Sequence, residues 1–322
     1  MTKLSRLAVV LILPFGAFAA DPALLQMVMP DAQVLAGLQV TQAKNSLFGQ
    51  YVLSHLSVHD TGLQEFIAET GFDPRVDVSE LVMASTGQPK GVNHHWLVLA
   101  DGTFNVSKIT AAAQSNGGVS TTYQGVNLIT HAGTGAHPAT AVAFLGTSIA
   151  VAGDLASVQG AITAKQSDTP ANSNVLATVQ QASSANDFWF VTLVPLSNFA
   201  GAIPNSNLGG AMQGNVLAGI NQASGGVRFG DTVTISAEAV ARSAQDAQSL
   251  VDVVKFLAGM VQMNKQNNSS ASQVATLLNS LQATASGNIT TISLAIPEQQ
   301  IEQLINSAHP AARATRASLQ TR

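Results

Sequence analysis

The residues best suited to chemistry in this chain are two histidines, His55 and His59, in the run HLSVHD. Four residues apart on a helix, two imidazoles face the same way and can share one metal ion, as in H-E-x-x-H enzymes. Leu56 stands where such an enzyme carries its glutamate base, and Gly62 puts the pair at a helix end. Asp60, His94 and His95 are the available third ligands. A metal-dependent hydrolase using His55 and His59 is therefore the enzymatic expectation, against two solvated surface histidines as the plain one.

A second candidate is AVAFLGTSIAVAGDLASVQGAI, from Ala141 to Ile162. A dinucleotide turn needs G-x-G-x-x-G directly between strand and helix, so that backbone can approach the pyrophosphate. Here a whole strand separates Gly146 from Gly153, and Asp154 puts an anion where a phosphate would sit. The pattern predicts a hairpin turning at Gly146-Thr147 and a helix capped by Asp154, with Leu155, Val158 and Ile162 facing inward. In GFDPRVDVSE, Asp73-Pro74 reads as a helix cap and first-turn proline, with Asp77 and Glu80 on a short solvated turn. That spacing is too sparse for a calcium loop. The chain has no G-x-S-x-G elbow and no cysteine for nucleophilic catalysis. HAGTGAHP, from His131 to Pro138, reads as a hairpin loop. No cofactor is expected.

The elements that must carry these residues begin with an export signal. Lys3 and Arg6 precede an apolar run from Leu7 to Phe15, and Ala17-Phe18-Ala19 has the small-x-small form that a signal peptidase cuts behind. Residues 1–19 are thus expected to be a signal peptide, which places the protein in the periplasm or outside the cell. Removing Lys3 and Arg6 leaves 12 basic against 18 acidic side chains, a net charge of −6. That balance gives no electrostatic footprint for nucleic acid. No transmembrane segment is expected after cleavage. Charged residues are only 10% of the chain against 46% apolar, so stability must come from burial, without disulfides.

Gln33–Val40 reads as the first strand, Thr41–Leu56 and Leu63–Thr70 as helices, and Leu81–Ser85 and Trp96–Ala100 as strands. Phe104–Ser115 reads as a helix begun near Asn105. Four short strands follow, over 119–123, 126–131, 141–145 and 148–152, with Gly125 and Gly146 at their turns. Asp187–Val194 and Thr232–Val240 are further strands, the latter alternating apolar and polar as in a half-buried antiparallel sheet. Ser243 and Asp246 open a long amphipathic helix; a second carries Val274, Leu277, Leu278 and Leu281. A strand over 288–296 and a helix after Pro297 complete the pattern. The polar run QSDTPANSN, 166–174, marks an internal boundary.

This grammar predicts an α+β fold of mostly antiparallel sheet backed by amphipathic helices. The expected organisation is an N-terminal α+β domain over 20–165, a linker region over 166–186, a C-terminal α+β domain over 187–307 and a disordered tail over 308–322. LQVTQAKNSLFG from Leu38 and TLVPLSNFAG from Thr192 share a strand-then-helix start, so the halves read as possible diverged copies.

LLQMVMPDAQVLAGLQVTQAKNSLFGQYVLSHL (Leu24 to Leu56), FIAETGFDPRVDVSELVMAS and FLGTSIAVAGDLASVQGAI resemble the first half of a group of exported bacterial proteins of a domain-of-unknown-function family. The resemblance implies export and an α+β layout, and brings no activity or site residues. The leading functional expectation is an exported, non-enzymatic protein acting through binding or envelope structure, its partner an unknown envelope or extracellular one. The alternatives are the hydrolase at His55/His59 and a carrier of an apolar ligand held between helices and sheet.

Overall fold

The computed structural model describes residues 19–55, 61–87, 94–134, 138–167, 173–202, 215–264, 269–301 and 303. Residues 1–18 of the expected signal peptide, His59 and the expected tail over 308–322 lie outside them.

Among the described residues twelve strands, most of them alternating apolar and polar residues, join in one antiparallel sheet. They are β1 (Val34–Gln39), β2 (Val78–Ser85), β3 (Trp96–Gly102), β4 (Val119–Tyr123), β5 (Val126–His131) and β6 (Thr140–Leu145). Then come β7 (Ile149–Asp154), β8 (Phe188–Thr192), β9 (Ile220–Arg228), β10 (Thr232–Ala241), β11 (Gln282–Ser286) and β12 (Ile289–Pro297). Their spatial order is β11-β12-β10-β9-β8-β1-β2-β3-β7-β6-β5-β4. The two halves meet at the centre, where β1 pairs antiparallel with β8 from Val34↔Thr192 to Leu38↔Phe188.

Outward from that pair both halves follow one plan. A first strand leads through a helical stretch to two strands stepping outward. A helix then crosses to the sheet edge, and the following strands run back inward. The N-terminal half has one extra hairpin.

The helices in chain order are α1 (Pro22–Leu25), α2 (Val40–Lys44), α3 (Leu47–His55), α4 (Thr61–Thr70), α5 (Pro74–Asp77) and α6 (Val106–Ser115). They continue with α7 (Leu155–Ser167), α8 (Ser173–Ala185), α9 (Asn215–Ala218), α10 (Ala244–Asn264) and α11 (Ser269–Leu277). On one face, Leu35, Val82, Leu97, Leu99 and Val151 bury under α7, α8 and the segment running from Ala20 to Ala32. On the other, Leu38, Leu81, Val78 and Ala100 meet Val40 and Ala43 of α2, Leu53 of α3 and Ile109 of α6. In the second half Ile220, Ala239 and Ala241 pack beneath Ala247 and Leu250 of α10. No described helix is long and apolar enough to cross a membrane.

Most turns and caps follow the local chemistry of the sequence. Asn105 caps α6 by accepting the Lys108 N–H at 3.2 Å. Ser243 Oγ accepts the Asp246 N–H at 3.1 Å and lies 3.0 Å from the Asp246 carboxylate. Gly146 turns the β6–β7 hairpin at φ +72°, where glycine escapes the steric cost other residues carry.

Four stretches depart from the sequence expectation. The helix expected over 41–56 breaks at Asn45-Ser46, because Ser46 Oγ caps the next helix by accepting the Gly49 N–H at 3.2 Å and also donates to Glu298 Oε1 at 2.8 Å. The 166–186 stretch carries α8, whose Val175, Val179 and Ala182 enter the main core. Strands β9 and β11 arise from polar, glycine- or alanine-rich sequence with only a weak strand pattern; each is held by register with a stronger neighbour.

At the central pair, Trp189 is fully buried, and both of its cross-strand partners are glycines, Gly37 of β1 and Gly226 of β9. A Cβ on Gly37 would lie 2.4 Å from the Cε2 and Cζ2 atoms of the indole. The ring therefore occupies the space a side chain on β1 would need. Gly37→Ala is expected to cost about 1–3 kcal/mol by overpacking. Gly160→Ala in α7, where an added Cβ meets nothing within 4 Å, should gain about 0.4–1 kcal/mol. Urea unfolding of the two variants checks the contrast.

Candidate functional site: an apolar cavity beside the His95–Asp154 pair

The β3–β7 register, with Leu97 opposite Gly153, brings the start of β3 against the end of β7. Asp154 closes β7 and caps α7. Its Oδ1 accepts the Ser157 N–H at 3.0 Å, and its Oδ2 accepts the Trp96 N–H at 3.0 Å and the Ser157 hydroxyl at 2.7 Å. His95 Nδ1 lies 3.3 Å from Oδ1. Burial pushes the carboxyl upward, but the Ser157 hydroxyl, the two backbone N–H groups and His95 outweigh it. They hold Asp154 below the ordinary carboxylate range.

Beside this group lies a cavity of about 210 Å³ between α7 and the segment before β1. Met27, Val28, Met29 and Pro30 form one wall; Ala156, Gly160 and Ala164, spaced by one helical turn, form another. Its polar side chains are His95, Asp31 and Ser157, and Ser157 Oγ sits 3.0 Å from Met29 Sδ. A second cavity of about 180 Å³ over β9 and β10 has more polar walls, with Asn186, Ser224, Ser236 and Glu238.

What the first arrangement can do chemically follows from the order of its bonds. In a hydrolytic triad the imidazole stands between serine and aspartate and takes the serine proton. Here the serine hydroxyl and the imidazole both bond the aspartate. A carboxylate held low in pKa by four donors is a weak general base. The cluster joins β3, β7 and α7.

Among the sequence candidates, His55 closes α3, while His59, its intended partner, lies outside the described residues. Among the described residues no group of three or more His, Asp or Glu is placed to hold a metal ion. Asp73 caps α5, accepting the Arg75 N–H at 2.9 Å and pairing with the Arg75 guanidinium at 2.7 Å. Glu80 departs from the solvated turn expected of it: it sits in β2, 7% exposed. Both its carboxylate oxygens accept the Asp21 N–H, at 3.1 and 3.3 Å. Burial pushes Glu80 up to about 7, the N–H of Asp21 and the Gln39 side chain pull back, and the Asp21 and Asp101 carboxylates push further up. The meeting of His95 with Asp154 escaped sequence reasoning because it depends on strand register. The only sequence signal was Asp154's place as a helix cap.

Comparison with known proteins finds no family model, no curated protein and no solved structure that matches this chain.

Asp154→Ala leaves buried N–H groups of Trp96 and Ser157 without an acceptor and removes the α7 cap, so a loss of about 2–3 kcal/mol is expected. Because the folded pKa is depressed, the ionised carboxylate's stabilisation is complete above the unfolded value near 3.8. It fades as pH falls through the folded value. Urea midpoints of wild type and Asp154→Asn should therefore differ by a constant amount at neutral pH and converge in acid.

Proposed function

We propose that this is an exported protein that acts by binding and not by catalysis, and that the cavity between Met27–Pro30 and α7 receives an apolar group of its partner. The observation that carries the reading is the bonding of Asp154. Beside the cavity, the Asp154 carboxylate, the Ser157 hydroxyl and the His95 imidazole are committed to one another and to backbone N–H groups. Apart from Asp31, the rest of the cavity lining is methyl, methylene and thioether surface.

Its volume is below the roughly 300–1,000 Å³ of small-molecule sites, so it suits one apolar side chain or a short hydrocarbon end. Cavities near 150 Å³ lined by apolar side chains take up benzene. Two methionines in one wall supply adaptable, polarizable contact. The signal-like start of the chain supports the location.

The test is a titration with toluene, followed by the methionine methyl NMR signals. Saturable shifts of Met27 and Met29 are expected in wild type and their loss in Gly160→Leu, which fills the cavity from a position with open space above it. Wild type without saturable shifts overturns the cavity reading. About one equivalent of zinc in the purified protein, lost on replacing His55, overturns the non-enzymatic one.

A further inference from the structure

The segment lining the cavity starts at a buried residue. Ala20 is 3% exposed and belongs to the main core. Asp21 follows as the cap of α1, its Oδ1 accepting the Ala23 N–H at 2.8 Å. The Asp21 N–H itself points at Glu80, 3.1 and 3.3 Å from the two carboxylate oxygens.

Glu80 lies within the sheet, in register with Gln39 of β1 and Asp101 of β3. The groups facing it are thus the Asp21 N–H and carboxylate, the Gln39 amide and the Asp101 carboxylate. None is a cation. Ion pairs among the described residues, such as Arg75 with Asp73, His95 with Asp154 and Arg242 with Asp246, do not involve Glu80. A buried carboxylate beside two other acids is costly without a positive partner.

The sequence offers one source of positive charge at this spot. A cut behind Ala19, in AFA-AD, leaves the new chain end on Ala20, about 4 Å along the backbone from the N–H that Glu80 already accepts. We propose that hydrolysis of the Ala19–Ala20 peptide bond by a signal endopeptidase creates the counter-ion of Glu80, the α-ammonium of Ala20, and so locks down the segment that walls the cavity. Water supplies the hydroxyl that completes the Ala19 carboxyl and the proton that completes the Ala20 amine, which is then protonated. The inference rests on the export reading and not on what the cavity binds.

The two forms of the chain differ in their pH response. In the unprocessed form Glu80 titrates at about 7, above its unfolded value, so the folded state holds the extra proton between the two. Stability then falls as pH rises through that window. In the processed form an opposite charge within reach lowers the Glu80 pKa by about 1–3 units, and most of that fall disappears.

The first measurement is the intact mass of the exported protein, expected to begin at Ala20. Carboxyl carbon NMR then follows the Glu80 titration in that protein and in a version extended by Gly-Ser before Ala20, which moves the ammonium away. Glu80 should titrate near 7 in the extended form and at least one unit lower in the processed one. The extension should also lower the urea midpoint at pH 8 in wild type and leave it unchanged in Glu80→Gln. A different first residue overturns the cleavage reading and the proposal with it. A first residue of Ala20 with Glu80 titrating alike in both forms overturns the pairing alone and leaves export standing.

Discussion

The fit of the Trp189 indole over the bare backbone of Gly37 is the constraint on which the rest of the molecule depends. It lies on the β1–β8 pair, the seam at which the two halves of the sheet join. An indole is the largest apolar surface a side chain can bury, and here it is buried fully. It fits because β1 presents glycine at Gly37, where a Cβ would collide with the ring. The adjoining backbone is held equally closely: the Gln33 N–H bonds the Ser85 carbonyl at 2.9 Å, and the Leu193 N–H bonds the Gln33 carbonyl at 2.7 Å. β1 is therefore clamped between β2 and β8, and the segment before it is delivered against α7 at a fixed height. Cavity and seam belong to the same core.

With charged residues at only 10% of the chain, its buried and half-buried carboxylates act as acceptors for backbone N–H groups between distant elements. Asp154 joins β3 to α7, and Glu80 joins Asp21, the cap of α1, to β2. Asp187 accepts the Phe229 N–H at 2.6 Å and is pushed up by burial, against the pull of that N–H and of the Arg228 charge. Glu298 reaches back across the sequence to Ser46 and the Phe48 N–H, at 2.8 and 3.0 Å. Strongly perturbed carboxylates are signs of active sites when they converge in a cleft. Here the shifted carboxylates Glu80, Asp154 and Asp187 sit on different strands or loops, each bonded to backbone, which is the pattern of a scaffold. That distribution is why the binding reading is favoured over a catalytic one.

The segment from Ala20 to Ala32 links the two proposals physically. One end meets Glu80 and the other enters β1, while Met27 to Pro30 form a cavity wall between them. Its short helix is capped by Asp21 but is too brief to hold its shape alone. Its position therefore comes from what it touches at either end. A charge placed at its first residue acts on the same piece of chain that shapes the cavity.

Where the deciding interaction spans a few residues, the sequence alone determined the outcome. The caps at Asp73, Asn105, Asp154 and Ser243, the turns at Gly125 and Gly146, and the alternating strand over 232–241 all depend on neighbours within a turn or a strand. Their side-chain types state the answer, and with them the α+β class. Tertiary structure decided whatever needed a partner far along the chain. β9 and β11 carry weak strand patterns and exist because β10 and β12 offer them backbone hydrogen bonds. The break at Ser46 depends on Glu298, some 250 residues away. The burial of Glu80, the meeting of His95 with Asp154 and the seating of Trp189 over Gly37 each follow from the register of a strand pair. Register is set by the packing of the whole sheet, because a slip of one residue turns every side chain to the opposite face.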